Sequence, residues 1–209
     1  MNPAIGAGGR LPGRVLACRC ALALALVLLL GLAKILIAQQ AINAVTVPPP
    51  DRVVTPGLLI GTAPTDTDLE ELAAEVRGVV NLAAPSVAEQ VTAASLHQAY
   101  LYLAVPPGAA LTWAQLRELA GFMRRHTERG GWVYLHDDVA GSRAVTTAAM
   151  LLLLRGQTPA AVSAEITQPG LQSVDEHQRL ALERLWSALH QAGRSPAGNP
   201  YAAARIEPW

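Results

Sequence analysis

Apolar and polar positions change their spacing several times along this chain, and each change marks an element. Leu58-Leu59-Ile60 is a short apolar run closed by Gly61, the pattern of a buried strand. From Asp66 to Val76, residues Leu69, Leu72, Ala73 and Val76 recur at helical spacing behind an acidic first turn, which predicts a helix. Val79–Leu82 reads as a second buried strand, Ser86–Gln98 as a weaker helix, and Tyr100–Val105 as a further strand ended by Pro106-Pro107-Gly108. Thr112 and Gln115 form a capping box that opens a helix reaching His126, and Gly130-Gly131 breaks the chain before the strand Trp132–His136. Arg143–Arg155 is strongly apolar and helical, Gly156 ends it, and Pro159 starts a short helix. Ser173 and Glu176 suggest a second capping box, opening a helix to His190. Strands that alternate with helices predict an α/β domain whose central, mostly parallel sheet is flanked by helices. That domain is assigned to residues 53–192, with a tail at 193–209.

The amino-terminal quarter follows a different pattern. A basic segment at 1–14 precedes residues 15–38, in which Cys20 to Ala33 is uninterrupted apolar chain and only Arg19 and Lys34 carry charge. Twenty-four residues are enough for a bilayer span of about 20, since long basic side chains near a helix end reach the headgroups. An uncleaved signal anchor and a cleaved signal peptide share this layout; the lack of a clean A-x-A site between Ala38 and Ala44 favours the anchor. Arg10, Arg14 and Arg19 ahead of the uninterrupted apolar run from Cys20 place the carboxyl-terminal domain on the extracytoplasmic side of a single-pass membrane protein. Residues 39–52, with Pro48-Pro49-Pro50, form a semi-rigid linker.

Composition narrows the function. Apolar residues make up 51% of the 209 and charged ones 15%, which excludes a disordered chain. Sixteen basic and sixteen acidic residues cancel, so no nucleic-acid partner is indicated. Cys18 and Cys20 are too close together for a disulfide framework and lie outside the globular part. His97, His177 and His190 are scattered singly, without metal-ligand spacing, so neither a metal site nor a cofactor is expected. The basic run Arg124, Arg125, His126 and Arg129 fits a solvated helix end that complements the dipole.

Open α/β sheets bind ligands beyond the carboxyl ends of their strands, which directs attention to the loop after Trp132–His136. It reads His136-Asp137-Asp138-Val139-Ala140-Gly141-Ser142-Arg143 and feeds the next helix. Amides converging at a helix N-terminus make an anion cradle, and an arginine at the far end adds a planar fork for two phosphate oxygens.

On these residues the chain resembles the cysteine-dependent protein tyrosine phosphatases, in particular the dual-specificity branch. Their signature is His-Cys, five residues, then Arg, with a glycine three positions after the cysteine and often a serine before the arginine. His136, Ser142 and Arg143 fall on it. Pro56-Gly57-Leu58-Leu59-Ile60-Gly61 resembles the family's opening strand, Val79-Val80-Asn81-Leu82 a second, and Leu151 to Ala161 its helix and following turn. The resemblance implies a phosphotyrosine protein phosphatase-like fold, with Asp138 to Ser142 as the phosphate-binding loop. Asp137 stands where the nucleophilic cysteine belongs and Ala140 where the glycine does. The loop Val105–Ala110, which would carry the general acid, has none.

A carboxylate in the phosphate cradle repels a phosphoryl group by roughly 4 kcal/mol at 4 Å and an effective dielectric of about 20. A missing general acid removes a further factor of about 10²–10⁴. The expected function is therefore that of a pseudophosphatase binding a phosphorylated or otherwise anionic ligand, or a protein partner. The alternative is an active phosphomonoesterase with a non-standard nucleophile. For Asp137 three roles fit: a self-capping carboxylate that holds the loop, an acyl-phosphate nucleophile, or half of a metal pair with Asp138. Arg143 reads either as a retained anion ligand or as the partner of an internal salt bridge to Asp137, and His136 as a buried structural residue.

Overall fold

A computed structural model describes residues 52–138, 141–167 and 174–191. The elements are β1 Arg52–Thr55, β2 Leu58–Gly61, α1 Asp66–Leu72, β3 Val76–Asn81, α2 Val87–Ser95, β4 Ala99–Tyr102, α3 Trp113–Thr127, β5 Trp132–His136, α4 Ser142–Leu154, α5 Pro159–Ile166 and α6 Glu176–Gln191. The sheet runs β1-β2-β5-β3-β4. The β2–β5, β5–β3 and β3–β4 pairs are parallel, while β1 is antiparallel to β2. The sheet is thus mixed, and β1 begins at Arg52, inside the stretch assigned to the linker. Gly57, at φ +88°, supplies the left-handed residue that lets β1 turn directly into β2.

Alternation along the strands gives the sheet two faces. Leu58, Ile60, Val80, Leu82, Val133 and Leu135 belong to one contiguous core with Leu116, Leu119, Phe122 and Met123 of α3 and with the apolar body of α4. Eleven of the thirteen residues of α4 are buried, because the sheet holds one side and α5 and α6 pack on the others. A helix apolar all round can sit only in such a place. Gly78 is what lets α3 lie so close: a β-carbon there would sit 2.6 Å from the Phe122 ring. The opposite face carries Leu59, Val79 and Tyr134, which stand outside that core together with Leu69 and Leu72 of α1 and Ala93 of α2.

Three sequence expectations are corrected here. The helix predicted to Val76 ends at Leu72, and Val76 opens β3, because a fully buried residue four beyond Leu72 fits a strand start equally well. The strand expected to Val105 ends at Tyr102, so Val105 belongs to a loop. The helix α6 is capped by Asp175 and Gln178, which exchange backbone-to-side-chain bonds at 2.9 and 3.1 Å, so Glu176 is not its box partner; Ser173 lies outside the described residues. So do the segments 1–14 and 15–38 and the tail at 193–209; among the described residues no helix is long and apolar enough to cross a membrane.

Candidate functional site: the loop after β5 and the cleft beside it

Gly61, His136 and Asn81 are register partners in one row at the carboxyl edge of the sheet. Everything chemically distinctive hangs from that row.

The loop after β5 starts helix α4, whose N-cap is Gly141, a residue with no side chain to cap with. Asp137 does this work from four residues upstream. Its Oδ1 accepts the Gly141 N–H at 2.6 Å and its Oδ2 the Ala144 N–H at 3.3 Å. Asp137 is 1% exposed. A carboxylate held by amides at a helix N-terminus is favoured by both hydrogen bonding and the dipole. Of the three roles open to Asp137, this is self-capping, and both oxygens are taken up by it. Among the described residues, no group of three His, Cys, Asp or Glu side chains is placed to hold a metal ion.

Arg143 occupies the first turn of α4, where the dipole disfavours a cation. Its partners compensate. One terminal nitrogen donates to Asp138 Oδ2 at 2.6 Å and the other to the Val105 carbonyl at 3.1 Å. Nε lies 3.8 Å from Asp137 Oδ2. The internal salt bridge therefore exists, but its short member is Asp138 rather than Asp137. Ser142 Oγ accepts from Gln178 Nε2 at 3.1 Å, which ties the loop to α6. Val139 and Ala140 lie outside the described residues. The acid missing from Val105–Ala110 has a neighbour in space: a β-carbon added at Gly108 would sit 3.3 Å from Asp175 Oδ2.

His136 is wholly buried, as expected, but its surroundings were not foreseen. Its Nε2 meets Glu89 Oε1 at 2.6 Å, and Glu89 Oε2 accepts from Asn81 Nδ2 at 3.1 Å. Asn81 Nδ2 also reaches the Tyr100 hydroxyl at 3.0 Å, and Asn81 Oδ1 accepts the Ala83 N–H at 2.7 Å. Burial, with the Glu89 carboxylate alongside, pushes the Tyr100 phenol above its ordinary value, partly offset by Asn81. Among the described residues His136 Nδ1 has no hydrogen-bond partner. Sequence reading missed Glu89 because Ser86-x-x-Glu89 looks like an exposed capping box. Ser86 Oγ does accept the Glu89 N–H, but the Glu89 side chain turns inward. The signal available was the absence of any other partner for a histidine ending a buried strand.

Next to this network is a cleft of about 450 Å³, formed by the segments that follow β2 and β3 and by the start of the loop after β5.

No protein-family profile and no curated protein sequence matches the chain. Solved structures do. PTPMT1 superposes with a TM-score of 0.60 at 19% identity, covering 69% of this chain and 99% of that one. Tk-PTP in its active form gives 0.58 at 20%, covering 66% and 97%. Human DUSP28 gives 0.56 at 23%, covering 70% and 99%. The fold is that of the protein tyrosine and dual-specificity phosphatases. At these identities the likeness concerns the fold alone.

Proposed function

We propose that this chain is a membrane-anchored pseudophosphatase, a phosphatase-fold protein that works by binding a ligand or protein partner and does not turn over phosphomonoesters. One observation carries this reading: the residue in the nucleophile position is 1% exposed and spends both oxygens on the amides of Gly141 and Ala144. A nucleophile must present a lone pair to an incoming phosphorus atom, and at 1% exposure Asp137 offers it almost no open surface. The same carboxylate takes up the Gly141 and Ala144 amides at the start of α4, and Asp138 pairs with one terminal nitrogen of the Arg143 guanidinium. Membrane attachment rests on the apolar run at 15–38 and its flanking arginines.

Hydrolysis of p-nitrophenyl phosphate by the full-length chain in nonionic detergent tests this. The leaving phenolate needs no proton donor, so the missing acid does not blunt the assay. We expect no turnover above buffer from the wild type, and slow turnover from Asp137→Cys that Arg143→Ala abolishes. Wild-type turnover that disappears in Asp137→Asn would overturn the reading and make Asp137 catalytic.

A further inference from the structure

Helix α2 is built inside out. Its one charged residue, Glu89, is buried, while Val87 and Val91, one turn apart, are 77% and 62% exposed. A surface helix ordinarily turns its apolar stripe to the core and its charges to water. Glu89 faces inward for His136 and Asn81, which accounts for the charge. Nothing within the described domain accounts for the valines. Ala84, Pro85, Ala88 and Ala94 are exposed around them, and no residue from Ala83 to Leu96 other than Glu89 is charged. A contiguous exposed surface of this kind marks an interaction site, and a local rule broken without gain to the fold marks function.

The neighbouring helix decides what covers this surface. α1 packs alongside, joined where the Thr92 hydroxyl donates to Asp66 Oδ1 at 2.7 Å. Asp66, Glu70 and Glu71 of α1 are exposed, and Asp66 and Glu70 are one turn apart, a like-charged spacing that is unfavourable in a helix. Among the described residues none of the three has an ion-pair partner. Arg77, just beyond α1, is spent on the Ala73 and Ala74 carbonyls, both at 2.8 Å. These carboxylates repel an anionic bilayer, and a second copy docking by the same face would bring two acidic helices together. A partner with cations beside an apolar stripe matches both helices at once.

We infer that the outward face of α2, rimmed by α1, is a docking surface for a basic amphipathic segment of a protein partner. Its aliphatic side chains lie against Val87 and Val91, and its lysine or arginine side chains reach toward Asp66 and Glu70. The inference names the class of partner for the binding role proposed above and rests on that reading. The aryl phosphate assay tests the role and the titration below tests the surface, so the two fail separately. The apolar area is small and the charges are exposed, so association is weak and salt-dependent.

The test is titration of the full-length chain in nonionic detergent, read at the backbone amide resonances of Glu70, Val91 and Ser95. The probe is a short helical peptide with leucines one turn apart and lysines on either side of them. Controls replace its lysines by glutamates or its leucines by serines. Saturable shifts with the probe, and much weaker ones with either control, are expected. Val91→Ser, at an exposed position, should weaken binding about tenfold. Asp66→Asn with Glu70→Gln, which keeps the oxygen that Thr92 bonds, should weaken it about fivefold at low salt and hardly at all at high salt. No saturable shift, equal shifts with either control, or an affinity unchanged in both variants would overturn the inference. Shifts of the same amides on raising the protein concentration without peptide would overturn it in favour of a second copy. Their broadening by spin-labelled lipid in phosphatidylcholine nanodiscs would do so in favour of the bilayer.

Discussion

The two faces of the sheet are built on different principles. On the face covered by α3 and α4, Leu58, Ile60, Val80, Leu82, Val133 and Leu135 pack with apolar side chains of those helices in one hydrophobic core, the dry face. On the other, Tyr134 stacks on His136, and a chain of hydrogen bonds runs from His136 through Glu89 and Asn81 to Tyr100. The dry face gains stability in proportion to the area removed from water. The Glu89–His136 pair on the other face gains little net, because desolvating the two groups costs about what their pairing returns.

The sharpest way to break this contrast is to remove one member of the buried pair. Glu89→Leu leaves His136 buried without its partner and should lower unfolding stability by about 3–5 kcal/mol in denaturant titration. Glu89→Leu combined with His136→Leu should recover most of that loss, because both polar groups are then gone. If the double variant is as unstable as the sum of the singles, the pair is not the closed unit described here. On the dry face, Leu135→Ala should cost about 2–5 kcal/mol by opening a cavity, and no second truncation should rescue it.

The same contrast explains what the sequence revealed. The dry face was legible because its strands are continuous apolar runs and α4 is apolar on every side, patterns with few alternative explanations. The β1 strand escaped because Arg52–Thr55 is too short to establish a period, and its pairing depends on the Pro56-Gly57 turn. The loop after β5 was legible as the turn that feeds a helix N-terminus, and Asp137 as its internal cap. The choice of Asp138 as the close partner of Arg143 was not, since two adjacent aspartates are equivalent in sequence and only the loop's path separates them. Glu89 was invisible for a related reason. Its position three residues after Ser86 satisfies a local rule, while its role is set by a histidine 47 residues away.

Asp137 joins the two regions, since it ends the polar row and caps the most apolar helix. Asp137→Ala should destabilise by about 1–2 kcal/mol, the scale of a lost cap, read as a lower thermal midpoint. Asp137→Ser, which keeps an acceptor at a shorter reach, should retain part of that. A larger loss than in Glu89→Leu would mean that the loop, rather than the Glu89–His136 pair, anchors the carboxyl edge of the sheet.

The smallest effect is a pH dependence, and its sign follows from Tyr100. Burial, with Glu89 nearby, holds the folded phenol above its ordinary value of 10.0. The folded state therefore keeps its proton where the unfolded state has begun to lose it. Below the unfolded value both states are protonated and the contribution is fully present; it is lost as pH rises from there through the folded value. Stability should accordingly fall with alkaline pH starting near 10, and Tyr100→Phe, which removes the titrating group but leaves Asn81 bonded to Glu89, should make that decline shallower. An unchanged alkaline slope in Tyr100→Phe would place the titration elsewhere and detach Tyr100 from the network that distinguishes this face.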